Sequence, residues 1–272
     1  MEKLFNLENV RYQYNQFQQA LVNVSFDIEK GEILSIIGSN GSGKSTLLHI
    51  LAGLVFPTSG ILKFENHEIS ESALNKKDFN AYFRQNVGYI FQHADAQLFC
   101  PTVLDEILFG PQQKLMKKEE AMDIAFSLMK MLNIEYLKDR PTYMLSGGEK
   151  KKVAIAAVLA VNPQVLIMDE PTSSLDPKTR SFIIELIFSL NEAGKTIILT
   201  SHNLEMISHF QSRVAVLSEN HTIERIGMPE DVLNDTEFLI KNNLISEHMH
   251  KHGTHIHKHL PGSLFFHKHD RL

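Results

Sequence analysis

The chain has 272 residues, 43% hydrophobic and 22% charged, with a formal net charge of −5. That size and apolar fraction suffice for one α/β domain with a sizeable core, and the acidic balance argues against a general nucleic-acid binder. A single cysteine, Cys100, excludes internal disulfides and fits a reducing compartment. The start, Met1-Glu2-Lys3-Leu4-Phe5, lacks the basic-then-apolar layout of a signal peptide. No apolar run reaches the roughly 18 residues that span a bilayer, so any membrane part is expected on another chain.

From the N-terminus, residues 1–30 and 59–70 are expected to form an antiparallel β layer. Within it, Arg11-Tyr12-Gln13-Tyr14 sets two tyrosines on one side of a strand, either of which can serve as a core aromatic. Ile33-Leu34-Ser35-Ile36-Ile37 reads as a buried strand. It feeds Gly38-Ser39-Asn40-Gly41-Ser42-Gly43-Lys44-Ser45, and Thr46 opens a helical stretch. Strand, glycine loop and helix in that order make a phosphate-binding loop. The glycines let backbone N–H groups turn inward, and the positive helix end favours phosphate oxygens. Lys44 is placed to reach the β- and γ-phosphates. The Ser45 hydroxyl is placed to ligate Mg²⁺, a hard cation that prefers oxygen.

Residues 71–86 are charged and polar and are expected to carry a surface helix. Gly88-Tyr89-Ile90-Phe91 leads into Gln92. Further on, Leu145-Ser146-Gly147-Gly148-Glu149 opens a helix over 147–160, with Ser146 and Glu149 at capping-box spacing. Lys150, Lys151 and Lys152 read as a solvated helix face. Val165-Leu166-Ile167-Met168 suits a central parallel strand covered on both faces. Asp169 then emerges at its carboxyl end, where ligands sit in open α/β sheets. Asp169 is placed to hold Mg²⁺ through water, and Glu170 to polarise an attacking water. Thr196-Ile197-Ile198-Leu199-Thr200 is another apolar strand, followed closely by His202.

This ordered set resembles the ATP-binding cassette (ABC) ATPases, over residues 3–230. The resemblance implies an α/β P-loop NTPase fold with three parts. They are a mostly parallel core sheet (31–58, 87–95 and 161–230), an antiparallel β layer, and a helical subdomain at 96–160. The ATP-binding domain would span 1–235, ahead of a His-rich tail at 236–272. ATP and Mg²⁺ would be held by Tyr14 on the adenine (Tyr12 being the alternative), by Gly38, Ser39, Asn40, Gly41, Ser42, Gly43, Lys44, Ser45 and Thr46, and by Gln92 and Asp169. Lys44, Gln92, Glu170 and His202 would be catalytic, His202 by contacting the γ-phosphate. Gln92 would also hinge the helical subdomain. Ser146, Gly147, Gly148 and Glu149 match the signature motif. Asp176, in Ser173-Ser174-Leu175-Asp176, matches the D-loop. Both would meet nucleotide across a dimer. The commonest family form has Gln where this chain has Glu149. A carboxylate near phosphate is unfavourable unless the capping bond turns it away, so a slightly weaker nucleotide sandwich is expected.

Phe91-Gln92-His93-Ala94-Asp95-Ala96-Gln97-Leu98-Phe99 runs into Pro101-Thr102-Val103 and on to Pro111. This is similar to the ATPases of energy-coupling factor importers, especially the cobalt and nickel branch, with His93 and Ala94 in place of that group's Asn-Pro. The likeness implies as partners a second ABC ATPase subunit (the same chain or a paralogue), a transmembrane coupling subunit and a membrane substrate-binding subunit. It implies a peripheral position on the cytoplasmic face of the membrane, a docking groove along 97–111, and no nucleic-acid partner.

Eight of the 14 histidines fall in the last 25 residues: His248, His250, His252, His255, His257, His259, His267 and His269. Imidazole is largely neutral at pH 7 and suits Ni²⁺, Co²⁺ and Zn²⁺, and an extended His-x-His puts both rings on one face. The expectation is an ATPase energising uptake of nickel or cobalt, with the same metal on the tail. One alternative is an importer ATPase for a vitamin or other organic micronutrient, with the tail as sensor or store. A soluble ABC ATPase acting on nucleic acid ranks last, because the chain has one cassette and no heptad run.

Overall fold

The structure, a computed structural model, describes residues 2–210, 212–245, 248–252 and 255–259. Two sheets organise it. Strands β1 (Lys3–Asn15) and β2 (Gln18–Glu29) pair antiparallel. On the other side of β1 lie β4 (Ser59–Phe64) and then β5 (His67–Glu68), giving an antiparallel layer in the order β2-β1-β4-β5. The second sheet has the order β10-β9-β3-β8-β7-β6. Its parallel part comprises β3 (Ile33–Ile37), β6 (Val87–Ile90), β7 (Val165–Met168), β8 (Thr196–Thr200) and β9 (Arg213–Leu217). β10 (Ile223–Gly227) adds an antiparallel edge.

The central strands are apolar throughout because alternate residues enter different cores. Ile33, Leu166, Met168, Ile197 and Leu199 face one core. It is built with α4 (Val103–Gln113), α5 (Lys118–Met131), α6 (Gly147–Leu159) and α7 (Pro177–Glu192), through residues such as Ile107, Met129, Val153 and Ile187. Leu34, Ile36, Val165, Ile167 and Ile198 face the other, against α1 (Lys44–Leu51) and the antiparallel layer. The nucleotide elements therefore sit between two covered faces, at the carboxyl ends of the strands.

The polar stretch 71–86 forms two helices, α2 (Glu71–Leu74) and α3 (Lys77–Asn86). α3 is not wholly a surface element: Phe83 is buried, edge-on to Phe64. Arg84 donates to the carbonyls of Ala52 and Gly53 at 2.8 and 2.9 Å, closing the end of α1.

At the C-terminal side, α8 (Leu204–His209), α9 (Pro229–Leu233) and α10 (Thr236–Lys241) pack on a small third cluster around Ile37, Val214, Val216 and Val232. Leu239 is buried, and Phe238 and Leu244 pack against that cluster. Packed structure thus continues past residue 235, the expected end of the domain. Beyond it, β11 (His248–His252) and β12 (His255–His259) pair antiparallel. His267 and His269 lie outside the described residues. Among the described residues, no helix is long and apolar enough to cross a membrane.

Candidate nucleotide-binding site

The glycine loop leaves β3 at Ile37 and enters α1 at Lys44. It is wedged between strands of both sheets. A Cβ at Gly38 would sit 2.3 Å from the Leu217 carbonyl oxygen, and one at Gly43 (φ 109°) 2.1 Å from that of Ala20. His221 Nδ1 lies 2.9 Å from the Ser42 carbonyl oxygen. Lys44 is buried, and its Nζ donates to the carbonyl oxygens of Gly38 and Ser39, both at 2.9 Å. Burial pushes its pKa down, while Glu170 and Asp169 pull it up. Ser39 Oγ and Ser42 Oγ are buried without a hydrogen-bond partner.

Opposite the loop, Asp169 and Glu170 follow β7. The Thr200 hydroxyl at the end of β8 organises both. It donates to Asp169 Oδ1 at 2.6 Å and accepts the Glu170 N–H at 2.9 Å. Glu170 holds the left-handed conformation at φ 44°, uncommon outside glycine. Its Oε1 lies 3.0 Å from His202 Nε2. Burial raises the Glu170 pKa above its ordinary value, opposed by His202 and Lys44 and reinforced by Asp169.

A cavity of about 300 Å³ brings together Tyr14, Asn40, Gly41, Gly43, Lys44, Ser45, Thr46, Gln92, Asp169, Glu170 and His202. Gly38, Ser39 and Ser42, expected in the same site, do not line it. Tyr14 is half exposed, with its Oη 2.9 Å from Thr46 Oγ1 and its ring edge-on to Tyr12. Tyr12 lines a separate cavity of about 260 Å³, which separates the two aromatic candidates. Gln18, Gln19 and Ala20 also line the main cavity. They carry no sequence signal of their own, because the β1–β2 hairpin folds them over the loop. Thr200 was equally hidden, since its role lies in cross-strand bonds.

The signature turn lies outside this cavity. Ser146 caps α6, with its Oγ accepting the Glu149 N–H at 3.4 Å, and Glu149 Oε2 accepts the Ser146 N–H at 2.8 Å. Tyr136 donates to Glu149 Oε1 at 3.2 Å, and Arg140 stands 3.6 Å from the same oxygen. The capping bond turns the Glu149 carboxylate back onto its own helix, and the Ser146 N–H lowers its pKa. A Cβ on Gly147 would meet open space, whereas Gly148 faces Thr179. Asp176 caps α7 by accepting the Thr179 N–H at 3.0 Å and is also outside the cavity.

The three lysines after Glu149 are not a solvated face. Lys151 is 3% exposed, and its ammonium donates to the carbonyl oxygens of Phe91 and Gln92 at 2.8 Å each. Lys150 pairs with Asp95, and Lys152 donates to the Leu132 carbonyl at 3.1 Å and lies over the Phe182 ring. The loop after β6 folds onto α6, a long-range contact that local charge does not reveal.

Within the segment 97–111, Glu106 is buried and accepts the N–H groups of Phe99 and Cys100 at 2.9 and 2.7 Å. Burial, with Glu106 beside it, pushes the Cys100 thiol up to about 11. Val103, Ile107 and Leu108 point into the core, but Phe99 and Phe109 are exposed and meet edge to face.

The residues fit a nucleotide with a hard divalent cation. The loop presents two unpartnered buried hydroxyls, those of Ser39 and Ser42. Ser45, Gln92 and Asp169 offer only oxygen donors, and one carboxylate plus phosphate oxygens is the usual Mg²⁺ arrangement. Among the described residues, no group of three His, Cys, Asp or Glu side chains gathers to hold a metal.

Fold and cavity together define a P-loop nucleoside triphosphatase. The family model described as ABC transporter matches residues 21–173, and the chain belongs to that family as an ABC transporter ATPase. It is 46% identical over 256 residues to a protein of Methanosarcina acetivorans provisionally named an ABC transporter ATP-binding protein, covering 93% of each chain. It is 34% identical over 244 residues to the energy-coupling factor transporter ATP-binding protein of Methanosphaera stadtmanae, covering 90% of this chain and 86% of that one. Among solved structures, cbiO1 of Clostridium perfringens, part of the ABC transporter complex cbiONQ, superposes with a TM-score of 0.76 at 34% identity, over 90% of this chain and 96% of that one.

Proposed function

We propose that this ABC transporter ATPase energises an importer of the energy-coupling factor type, and that its cargo is nickel or cobalt. One observation carries the ATPase part. Glu170 and His202 face the phosphate loop in one cavity, while the signature turn of the same chain lies outside it. A complete site therefore takes its signature turn from a second ATPase subunit.

In this reading, Tyr14 stacks on the base, and Lys44 and the loop amides hold the phosphates. Ser45, Gln92 and Asp169 hold Mg²⁺, which when bound neutralises phosphate charge. Glu170 accepts a hydrogen bond from the attacking water, and His202 fixes Glu170 and contacts the γ-phosphate. The other subunit's Ser146, Gly147 and Gly148 bring a helix N-terminus to that phosphate, and its Asp176 borders the same interface. Catalysis is mainly positioning and charge stabilisation.

Exposed Phe99 and Phe109 support docking of a transmembrane coupling subunit along 97–111, with the ATPase peripheral on the cytoplasmic face and a substrate-binding subunit in the membrane. The tail supports the metal cargo. The register of β11 and β12 sets His248 opposite His259, His250 opposite His257, and His252 opposite His255. Six histidine positions thus stand in three opposed pairs, and imidazole suits Ni²⁺ and Co²⁺.

The test is total cellular metal by elemental mass spectrometry, comparing cells with the native chain and with Glu170→Gln, grown on trace nickel, cobalt and zinc. A selective fall in nickel or cobalt is expected. No change in any metal, with the variant expressed and membrane-associated, overturns the metal reading in favour of an organic micronutrient.

A further inference from the structure

The helix that begins with the signature turn is also fastened to the segment that carries Gln92. Lys151, on α6, donates to the main-chain carbonyls of both Phe91 and Gln92. Two weaker ties flank it. Lys150 pairs with Asp95, and the Gln97 amide donates to the Ala154 carbonyl at 3.4 Å while its oxygen accepts the Phe91 N–H at 3.2 Å. Gln92 lines the nucleotide cavity, whereas Ser146 and Gly147 lie outside it.

A lysine suits this place. Its stem reaches out from the helix, and its compact ammonium carries three donors, enough for two carbonyls at once. The ammonium is almost wholly removed from water, so breaking the tie leaves a buried charge without partners. Burial also pushes its pKa down to about 8, with Asp169 opposing. A connection so costly to break favours joint movement over sliding.

We propose that Lys151 is a positioning residue that makes the Gln92 segment and the signature turn move as one body. Nucleotide seated in one subunit's cavity then sets the position of the turn which that subunit presents to its partner. The two ATP sites of a pair are thereby coupled through α6. This rests on the paired-site reading above.

The experiment uses the purified full-length chain as wild type, Lys151→Met and Lys151→Arg. It measures hydrolysis against ATP concentration and binding of a fluorescent ATP analogue at low protein concentration. Lys151→Met is expected to bind the analogue within about twofold of wild type, to lose kcat by roughly 5- to 100-fold, and to drop from a Hill coefficient above one to about one. Lys151→Arg, which keeps a charged donor to both carbonyls, is expected to retain cooperativity. Wild-type kcat and Hill coefficient in Lys151→Met overturn the proposal, as does a loss of kcat matched by an equal loss of analogue binding.

A second measurement needs no change at Lys151. Hydrogen exchange is followed on Glu170→Gln, too dilute to pair, with and without Mg-ATP. Amides in 91–97 and 147–156 are expected to slow together; slowing confined to 91–97 overturns the tie. If pairing itself fails, the wild-type Hill coefficient is about one, and the exchange result still decides on Lys151.

Discussion

Glu170 is held by two neighbours, Thr200 fixing its backbone and His202 facing its carboxylate, and burial raises its pKa. Glu170→Gln should therefore keep ATP binding and lose turnover by about 10²- to 10⁴-fold, the range for a positioned general base; parallel binding and single-turnover assays check this. Because activity needs the ionised form, kcat/KM, which reports the nucleotide-free enzyme, should fall as pH drops through the raised value, placing the acid limb above the ordinary glutamate value of 4.5. A limb at or below 4.5 would contradict the burial argument. Thr200→Val strips the donor from Asp169 and the acceptor from the Glu170 N–H. It should cost about 1–3 kcal/mol in denaturant unfolding, the usual penalty for stranding a buried polar group. Asp169 and Glu170 were legible in the sequence because an apolar strand ended on them. Thr200 was not, because its bonds cross between β7 and β8.

At the scale of elements, the phosphate loop is braced by backbone it meets only in the folded chain. Gly43→Ala would drive a Cβ against the Ala20 carbonyl at a positive φ, so it should lower both ATP affinity and Tm. α6 begins with a capping box that its sequence announced, since Ser146 and Glu149 stand at the required spacing. Ser146→Ala should cost about 1 kcal/mol, read as a shift in denaturant midpoint. Glu149 has a lowered folded pKa, so its contribution is fully present above the ordinary value of 4.5 and is lost as pH falls through the depressed value. Acid unfolding of Glu149→Gln should be correspondingly less steep in that window. The lysine run on the same helix was misread because charge alone speaks for water. Only the fold shows the 91–97 loop lying over Lys151 and supplying it with carbonyls.

At the scale of the molecule, the split into a mostly parallel core sheet and an antiparallel layer was legible in the chain, since the central strands are uninterrupted apolar runs, whereas the strand order and the two cores came only with the fold. So did the end of the packed region. Phe238 and Leu244 pack on the third cluster, and Leu239 is buried, from a stretch just ahead of the histidine-rich segment that drew the expected boundary. A chain lacking residues 248–272 should keep its kcat and lose Ni²⁺, Co²⁺ or Zn²⁺ retention on dialysis, measured by elemental analysis. The most direct measurement concerns the paired site, because phosphate loop and signature turn of one chain do not share a cavity. Light scattering on Glu170→Gln with Mg-ATP should give the mass of two chains, returning to one with ADP. A protein that binds ATP yet stays at the mass of one chain across concentration would contradict the account.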